Sequence, residues 1–383
     1  MGDADQVLVI DDGSIDATPE VARSAGPRVR YIRQDNQGKS SALNRGLAET
    51  SGEFVWICDD DDILRPHAVA ALTGALDDGA VDWAFARYTR FQDDGDGTRR
   101  DLGTGYWPDL SAGSLVRHIL EDAFVMQNAA LVRRSAYAAV GPFSTAMPRS
   151  LDYEMFVRLA VARPCAYVDT IAFDQRKHPG DRGPAAQRHA ANSSEDVWRR
   201  FDSRIFANLY EYAPLSFFEA MYECSDGSVP RRAALLQRGA IMLRHDCMEQ
   251  GLTDLAAAAG QSAAALDPGE AVICRHVLAG KNNPAMLWER GLAQSLRALS
   301  DGSRVGRQIV GEILAGMRWR LRRDPIGRWS SFRGMISAGG AVGAVHAMTR
   351  PALMHRAAGI AERDRLPPSA LISPDDLRPV TER

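Results

Sequence analysis

Two clusters of aspartates supply the side chains whose spacing most clearly suggests chemistry. Residues 59–62 are four consecutive aspartates that directly follow the apolar run FVWIC. Four adjacent carboxylates repel one another and cannot all be buried without partners, so the run predicts a cationic ligand. In an extended segment Asp59 and Asp61 project to the same side, whereas Asp60 and Asp62 face away. Two carboxylates on one side suit Mg²⁺ or Mn²⁺, which completes its coordination with water and phosphate oxygens.

The second cluster, Asp11 and Asp12, ends the apolar run VLVI and precedes Gly13. A carboxylate at the end of a strand can accept hydrogen bonds from a ring or a ribose, and a glycine turn followed by a helix allows a ligand to approach closely. Both clusters also have a purely structural interpretation. Asp-Gly-Ser is an ordinary turn and helix cap, and residues 59–62 could form a solvated loop or cap the helix that begins near Pro66.

The elements around these clusters follow an alternating order. Over the first ninety residues, short β-rich runs such as VLVI, VRYIR and EFVWIC alternate with helical segments. This alternation predicts βαβ crossovers and an α/β fold with a mostly parallel sheet. In such sheets ligands bind outside the carboxyl ends of the strands, where both aspartate clusters are expected to lie.

A change in composition predicts a second domain. Residues from about 195 to 360 are rich in Ala, Leu and Arg, with helical patterning broken by prolines. We therefore expect an α/β domain over 1–190 and a mainly helical domain over 191–362. The Pro-rich, charged segment 363–383 is expected to be a poorly ordered tail.

The overall composition excludes several classes of function. A net charge of −3 and a pI of about 6.3 provide no broad basic field, so nucleic acid is not an expected partner. The five cysteines are widely spread without zinc-type spacing, which indicates reduced thiols. The N-terminus lacks a signal-peptide pattern, and no apolar run is long enough to span a membrane. These features predict a cytoplasmic protein.

Four motifs occur in an order that resembles one enzyme family. VLVIDDGSIDAT is followed by RQDNQGKSSALNRGLAETSGEFVWICDDDDILRPHAVAAL, then by VRRSAYAAVGPFS and LDYEMFVRLA. Over residues 7 to about 185 the chain is similar to the family 2 glycosyltransferases, which have the GT-A fold. The resemblance implies a nucleotide-diphosphate sugar donor, a divalent metal, and transfer of the sugar with inversion to an acceptor hydroxyl.

The resemblance also implies a role for each matching aspartate and lysine. Asp11 would contact the nucleotide base, with Asp12 beside it. Asp59 would face the ribose and Asp61 the metal, with Asp60 also counted among the nucleotide-sugar-binding residues. Lys39 lies at a position where members of the family often contact the nucleotide. The alternative is a surface lysine at the start of a helix.

The later motifs imply the catalytic residues. Asp152 of LDYEMFVRL matches the family's catalytic aspartate, which would take the proton of the acceptor hydroxyl; a plain helix cap is the alternative, and Glu154 is a reserve candidate. Arg176 would reach the diphosphate and His178 the metal, unless His178 is simply solvated. A Q-x-x-R-W motif, which marks processive synthases, is absent, so we expect the addition of a single sugar. The acceptor would be a carbohydrate, a lipid-linked group or another hydroxyl, in the synthesis of a surface polysaccharide, glycolipid or other glycoconjugate.

The chain departs from the family pattern at its start. A strand and a helix that normally precede the VIDDGS strand are not found in the sequence, and their absence would expose strand edges. The start could lie further upstream, the chain could be a fragment, or another segment could replace the strand. The rival interpretation is therefore a catalytically impaired relic that acts as a binding or interaction module.

The segment 304–334 combines positive charge with aromatic residues. It holds eight arginines against Glu312 and Asp324, with Trp319 and Trp329 between them. Such a segment could contact an anionic membrane peripherally, at the inner face of the cell membrane. The alternative is a solvated helical face packed on the rest of the protein.

Overall fold

The computed structural model describes residues 6–94, 98–177, 194–281, 284–318, 321, 328–349 and 359–381. The chain divides into two compact units. Unit 1 consists of residues 1–108, 123–202 and 372–383, and unit 2 consists of residues 109–122 and 203–371. This division differs from the predicted domains 1–190 and 191–362. Residues 109–122 are part of the second unit, and the end of the chain is part of the first.

Unit 1 is built from strands and flanking helices. Its strands are β1 (Val7–Asp11), β2 (Val29–Arg33), β3 (Phe54–Trp56), β4 (Ile63–Leu64), β5 (Trp83–Asp93), β6 (Arg99–Thr104), β7 (Ala130–Arg133) and β8 (Cys165–Arg176). Its helices are α1 (Thr18–Ser24), α2 (Lys39–Glu49), α3 (Ala68–Gly74), α5 (Arg134–Val140) and α6 (Leu151–Ala162). The predicted α/β class is confirmed.

The strands of unit 1 form two sheets among the described residues. β1 pairs with β2 in parallel, and the apolar residues of β1 before Asp11 are only half-buried. The larger sheet has the order β3-β7-β5-β8-β4, with β6 paired to β5. It is mixed, and its longest register is the parallel one between β5 and β8. The described β3 pairs with β7 alone, so its other edge carries no strand in the described chain.

The core of unit 1 lies on both faces of β5. Side chains alternate across a strand, so Trp83 and Phe85 face one side and Ala84 and Ala86 the other. All four are fully buried. Trp83 stacks on Phe156 of α6, with ring centroids 5.5 Å apart, while the two alanines belong to a cluster that includes α3. A strand buried on both faces needs no polar alternation, which explains its continuous apolar run.

The predicted disorder of 363–383 is wrong for the described residues of the tail. Ile372, Leu377 and Val380 are buried, and the Ile372 amide donates to the Val161 carbonyl at 2.9 Å. The Ser144 hydroxyl donates to the Val380 carbonyl. A few apolar side chains at suitable spacing are enough to hold the segment on unit 1, despite its proline content.

Unit 2 is mainly helical. It contains α4 (Leu115–Glu121), most of α7 (Ser194–Tyr212), α8 (Leu215–Glu219), β9 (Tyr222–Cys224), α9 (Arg231–Arg244), α10 (Met248–Gln261), α11 (Pro268–His276), α12 (Ala285–Glu289), α13 (Leu292–Gly302), α14 (Arg304–Gly316), α15 (Arg328–Thr349) and β10 (Ile360–Glu362). The consecutive helices α9 and α10 pack against each other as a helical hairpin. The two helices pack closely at their glycines. A Cβ on Gly251 would lie only 3.0 Å from the Gly239 carbonyl oxygen. Among the described helices, none combines the length and apolar composition needed to cross a membrane.

Candidate active site

The acidic residues 59–62 lie in a turn between β3 and β4, which we call the acidic turn. One carboxylate oxygen from each of Asp59, Asp61 and Asp62 lies within 4.8 Å of the others. The prediction that Asp62 faces away from Asp59 and Asp61 is therefore wrong. β3 ends at Trp56, so the two-residue alternation of a strand does not extend through the turn. Asp60 is exposed, and its carboxylate makes no hydrogen bond or ion pair to any other described residue.

Asn128 holds this turn in shape. The amide N–H of Asp59 donates to Asn128 Oδ1 at 3.2 Å, and Asn128 Nδ2 donates to Asp62 Oδ2 at 2.6 Å. The Asn128 carbonyl also accepts from the Trp56 indole at 2.9 Å. Asn128 is buried in a 3₁₀ turn just before β7. Sequence reasoning missed it because the surrounding apolar residues indicate a strand; the signal was the polar pair Gln127-Asn128 within that run.

Arg176, at the end of β8, closes the other side of the turn. Its amide N–H donates to Asp62 Oδ1 at 2.8 Å, and its Nε donates to the Asp61 carbonyl at 2.8 Å. Its guanidinium also pairs with Asp93 and lies over the Phe91 ring. Arg176 therefore lies at the acidic turn, where its side chain is engaged with protein groups.

The electrostatics of the turn favour a cation. Burial is the main cause that raises the pKa of Asp62 from 3.8 to about 6, and the nearby Asp61 and Asp59 carboxylates raise it further. Hydrogen bonds from the Arg176 amide and Asn128 act in the opposite direction. A bound cation would relieve both the desolvation and the repulsion.

The carboxylates fit a hard divalent cation. In an octahedral Mg²⁺ site with metal–oxygen distances near 2.1 Å, opposite ligands lie about 4.2 Å apart. Oxygens within 4.8 Å of one another reach that arrangement with small side-chain movements. Asp59, Asp61 and Asp62 could together hold Mg²⁺ or Mn²⁺, whose preferred ligands are oxygens. His178, the other predicted metal ligand, lies outside the described residues.

Lys39 is brought to the same turn from the first residue of α2. Its ammonium pairs with Asp59 Oδ1 at 2.5 Å. Asp12 holds the segment before it, because its carboxylate accepts from the Gly38 amide at 2.8 Å and from the Gln37 amide at 3.0 Å. Asp12 therefore positions the start of α2, and with it Lys39.

Asp11 is buried at the end of β1. One of its oxygens accepts from the Ser14 amide at 2.7 Å and the other from the Tyr31 hydroxyl at 2.5 Å. These bonds, led by that of Tyr31, lower its pKa from 3.8 to about 2, with Arg33 assisting and burial opposing the shift. Gly13 follows with φ of +87°, and a Cβ there would lie 3.0 Å from the Asn36 amide nitrogen. Glycine is required by both the backbone conformation and this close approach.

Asp152 is half-buried in the first turn of α6, where the helix dipole favours a carboxylate. Desolvation raises its pKa, while Lys39 lowers it and Asp59 raises it. The charges of Lys39 and Asp59 thus act on the Asp152 carboxyl group in opposite directions. A raised pKa makes the carboxylate a stronger base.

Glu154, the reserve candidate, has a structural role. It is buried, and both its oxygens accept from the Arg158 guanidinium, at 2.9 and 2.6 Å. Arg158 in turn donates to the carbonyl of Pro142. The pair joins α6 to the loop after α5, so Glu154 is not available to an acceptor hydroxyl.

Comparison with known proteins shows which protein family the N-terminal part of the chain resembles. Residues 1–141 match the family model described as glycosyl transferase family 2. Among curated relatives, a chondroitin synthase of Escherichia coli is 26% identical over 215 residues, which are 55% of this chain and 30% of that protein. A hyaluronan synthase of Pasteurella multocida is 26% identical over 178 residues, 45% of this chain and 17% of that protein. The chain thus spans less than a third of the length of these synthases.

A solved structure is also similar. TarS residues 1–349 of S. aureus, in complex with UDP-GlcNAc, align with a TM-score of 0.46 and 13% identity over 80% of this chain and 81% of that one. The family match covers both aspartate clusters and Lys39, and in the structure Lys39 pairs with Asp59. Over residues 1–141 the chain is therefore similar to glycosyl transferase family 2.

Proposed function

We propose that the chain transfers a single sugar from a nucleotide-diphosphate sugar to an acceptor hydroxyl, with inversion and with dependence on a divalent metal. The observation that carries this proposal is the meeting of three elements at one place. The acidic turn offers three carboxylates to a cation, α2 brings Lys39 to Asp59, and α6 brings Asp152 within electrostatic reach of both.

The acidic turn and Lys39 would bind the donor. Asp59, Asp61 and Asp62 would hold Mg²⁺ or Mn²⁺, which when bound neutralises the charge that develops on the leaving diphosphate. Lys39 would exchange its pairing with Asp59 for the diphosphate or the nucleotide. Asp11, Asp12, Asp60 and Arg176 are proposed to border the nucleotide sugar, with Asp11 and Asp12 shaping the turn after β1. His178 remains a proposed metal ligand.

Asp152 would activate the acceptor. Its carboxylate takes the proton of the acceptor hydroxyl as the hydroxyl oxygen forms a bond to the anomeric carbon. The bond between that carbon and the phosphate oxygen breaks, and the nucleoside diphosphate leaves with the electron pair. Attack from the side opposite the leaving group inverts the configuration. The raised pKa of Asp152 suits this role because the carboxylate holds a proton more readily.

The names of two relatives support a product class. They are named chondroitin synthase and hyaluronan synthase, which supports a role in the synthesis of a polysaccharide or another glycoconjugate. We also propose a reducing, cytoplasmic location, which is consistent with five cysteines that form no disulfide bond with one another.

The arrangement of the strands favours the rival candidate, a catalytically impaired binding module. Within the described residues β1 and β2 form a sheet that is not hydrogen-bonded to β3. The turn after β1 and the turn after β3 therefore lack a common sheet among the described strands. A module of this kind would bind nucleotide weakly or not at all.

Calorimetric titration of the full chain with UDP and GDP, with and without Mn²⁺, separates the two candidates. We expect one nucleotide to bind in the presence of Mn²⁺, and its affinity to fall at least about tenfold in Asp61→Asn, because a metal ligand is lost. Asp77→Asn, an exposed aspartate after α3, is the matched control and should bind like the wild type. Binding that is absent in the wild type, or unaffected by Mn²⁺, would favour the impaired module.

A further inference from the structure

The first half of helix α15 presents its large apolar side chains to solvent. Trp329 is 68% exposed, and Phe332 and Ile336 are each 38% exposed. Arg333 is exposed beside them. The spacing 329, 332, 333 and 336 places all four on one side of a helix, which we call the α15 face. Trp329 and Phe332 touch edge to face, with ring centroids 6.2 Å apart.

The opposite side of the same helix is buried and made of smaller residues. Ser331, Met335 and Ala338 are at most 2% exposed. Gly334 is buried among them because a Cβ there would lie 2.5 Å from the Trp288 ring. The close approach of α15 to its neighbours explains the small residues on the buried side. It does not explain large apolar residues on the outer side, since a solvated helix normally presents polar residues there.

A contiguous exposed group of large apolar side chains indicates a binding surface. Its charge indicates which partner it fits. The segment 304–334 has eight arginines and two acidic residues. One of the acidic residues, Glu312, already pairs with Arg275 at 2.7 Å. Arg304 and Arg307 of α14 are exposed as well. The sequence that leads into α15 is therefore cationic and complementary to an anionic surface.

The length of the helix and its break at Gly340 limit how α15 could contact a membrane. No described helix can cross a bilayer. α15 also breaks at Gly340, whose φ is +68°, and beyond this break Val345 and Met348 are exposed again. Helices with aromatic residues and arginines of this kind lie in the plane of the headgroups, with the apolar side chains inserted.

We propose that the α15 face docks on an anionic lipid membrane, with Trp329, Phe332 and Ile336 inserted between the headgroups and Arg333 paired with their phosphates. This inference concerns where the protein works and is independent of the donor site. It accounts for an outer surface that the folding of unit 2 leaves unexplained.

Flotation of the full chain with lipid vesicles tests this proposal. We expect the protein to float with vesicles that contain phosphatidylglycerol, more weakly as salt is raised, and to stay unbound with phosphatidylcholine alone. The triple variant W329S/F332S/I336S should lose at least about tenfold in bound fraction, because its apolar insertion is removed. The variant V21S/V229S removes apolar side chains of similar exposure elsewhere and should float like the wild type.

Several results would overturn the proposal. They are no flotation of the wild type at low salt, equal binding to phosphatidylcholine alone, or a triple variant that floats as well as the wild type. Sedimentation of the same proteins identifies the other occupant: a wild-type dimer that becomes monomeric in the triple variant, without flotation, would assign the face to a second copy of the chain. Thermal unfolding of each variant confirms that it is folded, which is expected for substitutions of exposed side chains.

Discussion

Four consecutive aspartates in the acidic turn have different surroundings. Asp59 pairs with Lys39, Asp60 is exposed, and Asp62 is half-buried between Asn128 and Arg176. The sequence predicts a cation site here, since the repulsion of adjacent carboxylates does not depend on geometry. It does not predict that the Asp62 carboxylate lies beside those of Asp59 and Asp61, because that depends on where the strand ends and on an asparagine more than sixty residues away along the chain.

Asp11 leads to a prediction about acid stability. Its pKa is lowered in the folded protein from 3.8 to about 2, mainly by the Tyr31 hydroxyl. The unfolded chain therefore takes up a proton at a higher pH than the folded chain does. The stabilisation from Asp11 is complete above about pH 4 and is lost as the pH falls towards about 2.

Denaturant unfolding of the wild type and of Asp11→Asn, compared from about pH 5 to about pH 2.5, measures this contribution. We expect the wild type to be the more stable at the upper end and the difference to shrink with acidification, because asparagine does not titrate. A difference that stays constant over this range would show that Asp11 is not an ionised acceptor of these bonds.

The elements that position the site differ in how far their sequences reveal them. β5 contains a continuous run of apolar residues and α6 contains helically spaced ones, and these patterns are visible in the sequence. The run FVMQNAALVRR, residues 124–134, has the pattern of a strand, but the structure forms a 3₁₀ turn at Gln127–Ala129 followed by β7. Apolar flanks conceal this turn, because a strand and a short buried turn can have the same hydrophobicity. Asn128, which shapes the acidic turn through its hydrogen bonds, lies within this 3₁₀ turn.

Asn128 is therefore predicted to be a positioning residue. Asn128→Ala removes the bonds to the Asp59 amide and the Asp62 carboxylate, so the three carboxylates should lose their common orientation. We expect the Mn²⁺-dependent affinity for nucleotide to fall about 10- to 100-fold, as is usual when groups that orient metal ligands are removed. Isothermal calorimetry of the folded variant, checked by thermal unfolding, provides the measurement.

Gln127→Ala is a suitable control for this variant. Gln127 is buried in the same turn, and its side-chain oxygen has no hydrogen-bond partner among the described residues. The Gln127→Ala substitution removes side-chain volume next to Asn128 without removing a hydrogen bond to the acidic turn. Equal nucleotide affinity in the two variants would mean that Asn128 acts only through packing.

At the scale of the whole molecule, the division into units was the least predictable feature. The composition of 363–383 predicts disorder, yet Ile372, Leu377 and Val380 are buried in unit 1. Residues 109–122 come between β6 and β7 along the chain, yet they belong to unit 2. Such assignments depend on tertiary partners far along the chain, and local patterns contain no information about them.

The central claim is that the chain transfers sugar with Asp152 as the base, and turnover of the donor tests it most directly. The full chain and Asp152→Asn are each incubated with a panel of UDP- and GDP-sugars and Mn²⁺, with and without candidate acceptors, and release of nucleoside diphosphate is followed. We predict release by the wild type and a loss of about 10²- to 10⁴-fold in Asp152→Asn, with nucleotide affinity unchanged. Retained turnover in Asp152→Asn, or no release by a wild type that binds nucleotide, would contradict this account.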